Sequence, residues 1–290
     1  MKMTHNVLHL IRTGMDDFSK GQKRIANYIL SNYDKAAFLT ACRLGQIAQV
    51  SESTVVRFAS QLGYDGYPAM QKALQELIRG KLTSIQRIEA SGHQINGSDI
   101  AGSVMQRDME TIRNTIERMD RTEFDLAVEK LMGAKHIYLL GVRSSSFLAG
   151  YLNFYFHLIF ENVTLVQSSA AGEIFDQMLR IGPGDVLVGI SFPRYSKMAV
   201  NAVRFARDRG ADVIAVTDSK MSPLYKMASA SLLVSSDMIS FVDSMAAPVS
   251  LLNALIMAVG QQKSEETAES FSELERVWSR YGVFGYAEDE

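Results

Sequence analysis

The sequence predicts a small all-α domain followed by a larger α/β domain built on a five-stranded parallel sheet. Up to residue 80, apolar residues recur only at helical spacing, whereas from Thr122 onward five short apolar runs alternate with helical stretches. The length of 290 residues also exceeds what one domain usually contains. We therefore expect a helical domain over 1–80, a linker over 81–97, an α/β domain over 98–265, and a terminal helix with an acidic tail over 266–290.

Composition excludes several classes of protein. Hydrophobic residues make up 47% of the chain and charged residues 21%, which is ordinary for a globular protein and excludes a disordered or fibrous chain. The single cysteine, Cys42, cannot form an internal disulfide, and no cysteine cage for a metal is possible. The amino terminus lacks the apolar stretch of a signal peptide, so we expect a cytoplasmic protein. We also expect it to bind no metal and no cofactor.

One stretch has the length of a membrane span, because residues 244–262 carry no charge. Serine, proline, asparagine and glutamine side chains interrupt it. This polarity favours a buried helix of a soluble domain over a transmembrane helix.

Charge is distributed unevenly between the two predicted domains. Residues 1–80 hold ten lysines and arginines against six acidic residues, giving +4, while residues 81–290 carry −6. A basic small domain joined to an acidic larger domain suggests an anionic polymer as the partner of the small domain.

The small domain contains three successive predicted helix starts. Ser19 and Gln22 are spaced as a capping box, and Thr40 and Ser51 are suitable N-caps for the next two helices. The core face of the third helix carries Val55, Phe58, Ala59 and Leu62. Gly63 then stands where a left-handed C-cap is expected.

The opposite face of this third helix is predominantly polar. It carries Glu52, Ser53, Val56, Arg57 and Ser60. Two helices joined by a tight turn, with small polar side chains and an arginine on the second helix, suit a reader of the DNA major groove. The alternative is a three-helix protein-interaction module whose polar face is only solvated.

The run FSKGQKRIANYILSNYDKAAFLTACRLGQIAQVSESTVVRFASQLGYDGYPAMQKAL, from Phe18 to Leu74, resembles the helix-turn-helix domain of the RpiR family of bacterial transcriptional regulators. The resemblance favours double-stranded operator DNA as the partner. The predicted DNA-binding residues are Thr40, Ser51, Ser53, Thr54, Arg57 and Ser60. Gln49 stands where such turns usually have glycine, so we expect a strained left-handed residue there.

Between the domains, residues 66–80 predict one more helix, with Pro68 in its first turn. Residues 81–97 lose helical periodicity and read as the linker. A later stripe contains Met105, Met109, Ile112, Ile116 and Met119. We interpret this stripe as core packing, with a coiled-coil contact between subunits as the alternative.

The larger domain begins with a helix whose apolar face carries Phe124, Ala127, Val128 and Leu131. The predicted strands are HIYLLG (136–141), NVTLVQ (162–167), DVLVGIS (185–191), DVIAVTD (212–218) and SLLVSS (231–236). Helical stretches separate most of these strands, for example one that closes at Gly210. This alternation predicts a parallel sheet with helices on both faces, and ligands of such sheets bind beyond the carboxyl ends of the strands.

Two of the predicted strand ends carry the same chemistry. GVRSSSFLAG follows the first strand and SFPRYSKMAV follows the third, so each combines serines with an arginine before a helix. Hydroxyls, amides of a helix N-terminus and a guanidinium together suit a phosphate or a carboxylate. The alternative is that Ser144 and Ser196 are simply N-caps.

This region resembles the SIS, or sugar isomerase, domain. The resemblance implies a five-stranded αβα sandwich that binds a phosphosugar through Ser144, Ser145, Ser191 and Ser196, with TDSKMSPL (217–224), including Thr217 and Ser222, as a further loop. The family's first and third loops often have glycine where Arg143 and Arg194 stand here, and serine where Pro193 stands. We therefore expect a small anionic carbohydrate effector more acidic than a hexose phosphate, such as a sugar acid or its phosphate.

The resemblance also leaves an enzyme open, because some SIS proteins isomerise aldoses to ketoses with a glutamate base and an assisting histidine. Glu173 lies near the position of that glutamate, and we assign it to effector binding. No histidine follows His157, and we interpret His136 and His157 as packing residues. We predict an effector-controlled regulator that is not an enzyme and that forms a homodimer or homotetramer, with a SIS isomerase as the alternative.

Overall fold

The computed structural model describes residues 7–78, 99–167, 171–236 and 242–284, together with 83, 85, 87 and 88. The chain divides into two compact units, Met1–Gly97 and Ser98–Glu290, which we describe separately. Most of the predicted linker (81–97) and the acidic end of the tail lie outside the described residues.

The first unit is helical throughout its described part. Its helices are α1 (Val7–Thr13), α2 (Lys20–Ser31), α3 (Tyr33–Ala36), α4 (Ala41–Ala48), α5 (Glu52–Gln61) and α6 (Gly66–Ile78). The predicted capping box of Ser19 and Gln22 starts α2, Thr40 caps α4, and Ser51 caps α5. Gly63 follows α5 with φ +87°, as predicted. Ile25, Ile29, Leu44, Phe58 and Met70 are fully buried and form the core of the unit.

A left-handed residue forms the tight turn between α4 and α5. Gln49 has φ 54° and ψ 48°, which confirms the expected strain. The Arg24 guanidinium of α2 donates a hydrogen bond to the Gln49 carbonyl at 2.8 Å and so holds the turn against α2. At Gly45, an added Cβ would lie 2.9 Å from the Val50 carbonyl oxygen, so glycine is required where the chain after the turn passes α4.

Replacing Gln49 by glycine is expected to raise the free energy of unfolding by about 1 kcal/mol, because glycine adopts the left-handed conformation without the steric cost. Urea denaturation followed by circular dichroism measures the change. The control is Gln46→Gly, three residues earlier and inside α4, which should destabilise by about the same amount. A loss of stability in both variants would contradict a strained turn.

The second unit is an αβα sandwich. Its helices are α7 (Ile100–Arg118), α8 (Arg121–Met132), α9 (Ser145–Ile159), α10 (Ala171–Gln177), α11 (Lys197–Asp208), α12 (Ala246–Gln262) and α13 (Ser264–Tyr281). Its strands are β1 (Ile137–Gly141), β2 (Val163–Val166), β3 (Val186–Ile190), β4 (Asp212–Thr217) and β5 (Ala230–Leu233). All neighbouring strands are parallel and lie in the order β2-β1-β3-β4-β5, which confirms the predicted sheet.

Two apolar cores cover the two faces of this sheet. On one face, α9 and α12 pack with α8 through residues such as Leu148, Leu152 and Leu255. On the other face, α10 and α11 pack through residues such as Ile174, Ala202 and Val203. The helix after β1 and the helix after β3 therefore lie on opposite faces.

The last strand is shorter than its apolar run predicts. β5 ends at Leu233, whereas the prediction continued to 236. Beyond the strand, the Ser235 amide donates a 3.0 Å hydrogen bond to the Thr115 hydroxyl of α7. The Thr115 side chain thus accepts the hydrogen bond that the Ser235 amide would make to the neighbouring strand if β5 continued to that residue.

The interpretation of the α7 stripe as core packing is wrong for three of its five residues. Ile112 and Met119 pack partly against the core, but Met105, Met109 and Ile116 are exposed by 67%, 54% and 57%. The buried face of α7 is instead polar and includes Thr111 and Thr115. These threonines donate to carbonyls of their own helix, so α7 docks on a face that apolar periodicity does not mark.

Within the uncharged stretch 244–262, residues 246–262 form α12, which is buried through Leu251, Leu252 and Leu255. Among the described residues, no helix is both long enough and apolar enough to span a membrane. The helix predicted near the carboxyl end is α13, which contacts α9 and α12.

Candidate functional site

Helices α4 and α5 pack against each other and form the predicted two-helix motif. Val55, Phe58 and Ala59 of α5 are fully buried, which confirms three of the four residues of its predicted core face, and Leu62, just after the helix, is half-buried. Ser53 and Arg57 are exposed on the opposite side. The Arg57 Nε donates to the Ser53 carbonyl at 3.3 Å, and this single bond leaves the terminal guanidinium nitrogens available for phosphate or base edges.

Several predicted DNA-binding hydroxyls have structural partners within the helices. Thr40 accepts the Arg43 amide and Ser51 accepts the Thr54 amide, so both act as N-caps. The Ser51 hydroxyl also lies 2.9 Å from the hydroxyls of Ser53 and Thr54. The assignment of Thr40, Ser51, Ser53, Thr54, Arg57 and Ser60 to DNA contacts stays a prediction.

The loops that follow β1 and β3 meet at one point of the sheet. β1 and β3 are neighbours in register, with Gly141 opposite Ile190, and both strands end there. Because α9 and α11 leave to opposite faces, a crevice opens between the two strand ends, as in other sheets of this strand order. The structure therefore brings the Arg143–Ser145 and Ser191–Ser196 segments to the two sides of one crevice.

Both loops contain an arginine in the same unusual conformation. Arg143 has φ 59° and Arg194 has φ 70°, and Gln49 is the third non-glycine residue with positive φ among the described residues. Both arginines are exposed. The Arg143 carbonyl is fixed by the amide and the hydroxyl of Ser146, at 3.0 and 2.6 Å. Each left-handed arginine costs about 1 kcal/mol or more, and such strain is concentrated at functional sites.

The serines of the two loops differ in accessibility. Ser144 and Ser196 occupy the N-cap positions of α9 and α11, but neither side chain accepts a hydrogen bond from its helix. The alternative that Ser144 and Ser196 serve only as N-caps is therefore wrong in one respect, because neither side chain makes a capping hydrogen bond. Ser145 and Ser191 are buried, with 6% and 5% exposure.

The end of β4 braces the third-strand loop from behind. Thr217 and Ser222 are fully buried, and the Thr217 hydroxyl lies 2.8 Å from both the Ser191 carbonyl and the Ser222 hydroxyl. The Tyr195 hydroxyl donates to the Asp218 carboxylate at 2.7 Å. Burial and the adjacent carboxylate raise the pKa of Tyr195, so the phenol remains a protonated donor. Thr217 and Ser222 thus position the loop, and direct effector contact by them stays a prediction.

The groups considered for acid–base chemistry do not converge. Glu173 is exposed on α10, which follows β2 at the edge of the sheet where the β1 and β3 loops also lie. His136 precedes β1 at the opposite edge, where its Nε2 lies 2.8 Å from the Thr164 hydroxyl and its ring packs on Tyr138. The His157 Nδ1 lies 3.0 Å from the Asn153 carbonyl within α9. Neither histidine lies at the crevice.

Sequence reasoning missed Gly141, Tyr195 and Asp218. At Gly141, a Cβ would collide with the Ser145 carbonyl, so glycine lets α9 start directly over the strand end. The signal for Gly141 was visible, since glycine ends an apolar run just before the serines. The Tyr195–Asp218 bond joins two separate loops, and no local pattern marks it.

Comparisons with known proteins agree with both units. Residues 5–80 match the helix-turn-helix domain of the rpiR family, and residues 130–258 match the SIS domain. An uncharacterised HTH-type transcriptional regulator of Caldanaerobacter subterraneus is 26% identical over 94% of this chain and 97% of its own length. The HTH-type transcriptional regulator HexR of Pseudomonas aeruginosa is 28% identical over 73% of each chain.

Two solved structures share the fold. The NanR protein of Vibrio vulnificus, solved in complex with ManNAc-6P, has a TM-score of 0.56 and 23% identity, over 97% of this chain and 100% of that chain. The sugar isomerase domain of an RpiR transcription factor from Sphaerobacter thermophilus has a TM-score of 0.59 and 22% identity, over 62% of this chain and 99% of that chain.

A helix-turn-helix unit followed by a five-stranded SIS sandwich defines a transcriptional regulator with a sugar-isomerase-type domain. The chain belongs to the RpiR family of these regulators.

Proposed function

We propose that this regulator binds operator DNA through α5 and that a small anionic carbohydrate derivative, bound between the β1 and β3 loops, changes its operator affinity. A DNA partner is consistent with the basic charge of the first 80 residues and with the exposed Arg57. It also fits the predicted location in the cytoplasm.

The strand order is the observation that carries the effector site. It brings two serine- and arginine-containing loops together from positions about 50 residues apart in the chain, beside the starts of α9 and α11. Helix N-termini and guanidinium groups both favour anions. The two exposed arginines favour a ligand that carries a carboxylate as well as a phosphate, so we favour a phosphorylated sugar acid over a plain hexose phosphate.

The alternative function is an aldose–ketose isomerase. Such an enzyme needs a base and a proton donor placed on the same substrate. Glu173 is one carboxylate at the correct edge, but His136 and His157 have other partners away from the crevice. This distribution favours a sensor, and an isomerase assay on a phosphosugar panel separates the two functions.

A thermal-shift screen against sugar phosphates, sugar acids and phosphorylated sugar acids tests the effector proposal. A ligand that binds only the folded protein raises its melting temperature. Hits are then added to a DNA-binding assay with fragments of neighbouring promoters. A ligand that stabilises the protein but leaves DNA affinity unchanged would contradict effector control.

We further propose that two chains pair through α9. Phe147 and Phe154, two helical turns apart on α9, are exposed by 80% and 63%, and Met257 of the neighbouring α12 is exposed by 61%. An apolar groove of about 450 Å³, lined in part by Met257 and by Tyr155, the residue after Phe154, lies between α9, α12 and α13. Exposed apolar surface of this kind marks protein interaction sites. A homodimer would present two recognition helices to two half-sites of an operator.

Phe154→Asp is expected to shift the protein from dimer to monomer in analytical ultracentrifugation, because a charge would be buried at the centre of the interface. Leu179→Asp is the control, since Leu179 is exposed by 62%, nearly as much as Phe154, but follows α10 on the other face of the sheet. If Phe154→Asp sediments like the unsubstituted protein, α9 does not form the interface.

A further inference from the structure

We infer that Val56 is a specificity-determining residue that contacts the C5 methyl group of a thymine in the major groove. This inference rests on the proposed binding of DNA by α5. It adds an apolar contact to a recognition surface that was predicted from polar and charged side chains alone.

Val56 is out of place on its face of the helix. Its side chain is 39% exposed, whereas Val55, Phe58 and Ala59 on the other side are fully buried. The outward neighbours one turn away are Ser53 and Ser60. Val56 is therefore the apolar centre of an outward face that is otherwise polar.

The hydroxyls around Val56 are already engaged within the helix. Ser60 donates to the Val56 carbonyl at 3.3 Å, and the Ser53 hydroxyl lies 2.9 Å from that of Ser51. Rotating either hydroxyl toward a base would exchange one hydrogen bond for another. The Val56 methyl groups have no such competing bond and gain from any apolar surface that covers them.

The major groove offers one apolar group of this kind on an unmodified base, the thymine methyl. The second helix of a helix-turn-helix motif lies in the groove, with the residues of its amino-terminal half on the base edges. Val56 is the fifth residue of α5, so it belongs to that half. Arg57, next to it, supplies the polar contact, and Val56 supplies the contact that distinguishes thymine from the other bases.

The chain contains a matched control. Ile47 of α4 has the same 39% exposure and is also a β-branched apolar residue. The first helix of the motif crosses the DNA backbone and does not enter the groove. Ile47→Ala should therefore leave the reading of thymine unchanged.

The experiment is a double-substitution cycle on the full chain. Duplexes that bind the unsubstituted protein are selected from a random pool, and each thymine of the recovered motif is replaced by deoxyuridine, which lacks only the methyl group. Affinities are measured by fluorescence anisotropy for the unsubstituted protein, Val56→Ala and Ile47→Ala.

We expect one thymine position at which the replacement weakens binding of the unsubstituted protein about fourfold, the value of one buried methyl group. Val56→Ala should bind the thymine and deoxyuridine duplexes equally, and Ile47→Ala should retain the difference. If no replacement changes the affinity of the unsubstituted protein, the inference is overturned whether or not Val56→Ala folds. Equal losses in all three proteins would overturn it too. Failure to recover any duplex would instead refute DNA binding itself.

Discussion

Arg57→Ala is expected to weaken operator binding about 5- to 150-fold, the loss of one good guanidinium contact to DNA. Arg57 is exposed on α5, and only its Nε is engaged, with the Ser53 carbonyl. Fluorescence anisotropy over a series of salt concentrations measures the effect. If the side chain contacts a phosphate, the slope of log affinity against log salt concentration should become shallower by about one. A base contact should instead relax specificity at one position of the operator.

The control for this variant is Arg207→Ala on α11, where the arginine pairs with the adjacent Asp208 at 2.8 Å in the other unit. It should leave DNA binding unchanged. Effector binding by Arg57→Ala, measured by thermal shift, should also be unchanged, because Arg57 and the crevice belong to different compact units. Loss of both activities together would argue against separate binding units.

The double variant Arg143→Gly, Arg194→Gly is expected to become more stable while losing its ligand. Glycine removes the left-handed strain at both sites, worth about 1 kcal/mol each. It also removes two charge-assisted contacts to an anion, and each of these is worth about 1.5–3 kcal/mol. Affinity for a phosphorylated sugar acid should fall at least 100-fold by calorimetry, while the melting temperature without ligand rises.

Two further variants separate charge from geometry. Arg143→Lys with Arg194→Lys keeps both the charges and the strain, so it should retain part of the affinity and none of the added stability. Ser196→Ala should weaken the response to ligand without changing DNA binding. If the glycine variant binds phosphorylated sugar acids as tightly as the unsubstituted protein, the arginines do not contact the effector.

The elements of the fold were predictable where local physics decides them. The capping box at Ser19, the N-cap at Ser51 and the left-handed Gly63 each depend on residues within one helical turn, and all three were confirmed. The stripe on α7 failed for the opposite reason. Apolar periodicity indicates which face of a helix is hydrophobic, but the buried face of α7 includes the Thr115 hydroxyl, which accepts a hydrogen bond from an amide 120 residues later in the chain.

The sequence by itself determined that this protein has a helical amino-terminal domain and an αβα carboxy-terminal domain. It also determined that serines and arginines follow two of the strands. Only the tertiary structure decided that β1 and β3 are neighbours, which places the two loops on either side of a single crevice. It also decided that Thr217 and Ser222 are buried behind the loop and that Arg143 and Arg194 share a left-handed backbone. The physical reason is that helix starts and strand patterns are set by neighbours along the chain. Strand order and side-chain exposure, in contrast, depend on how distant segments bury apolar surface together.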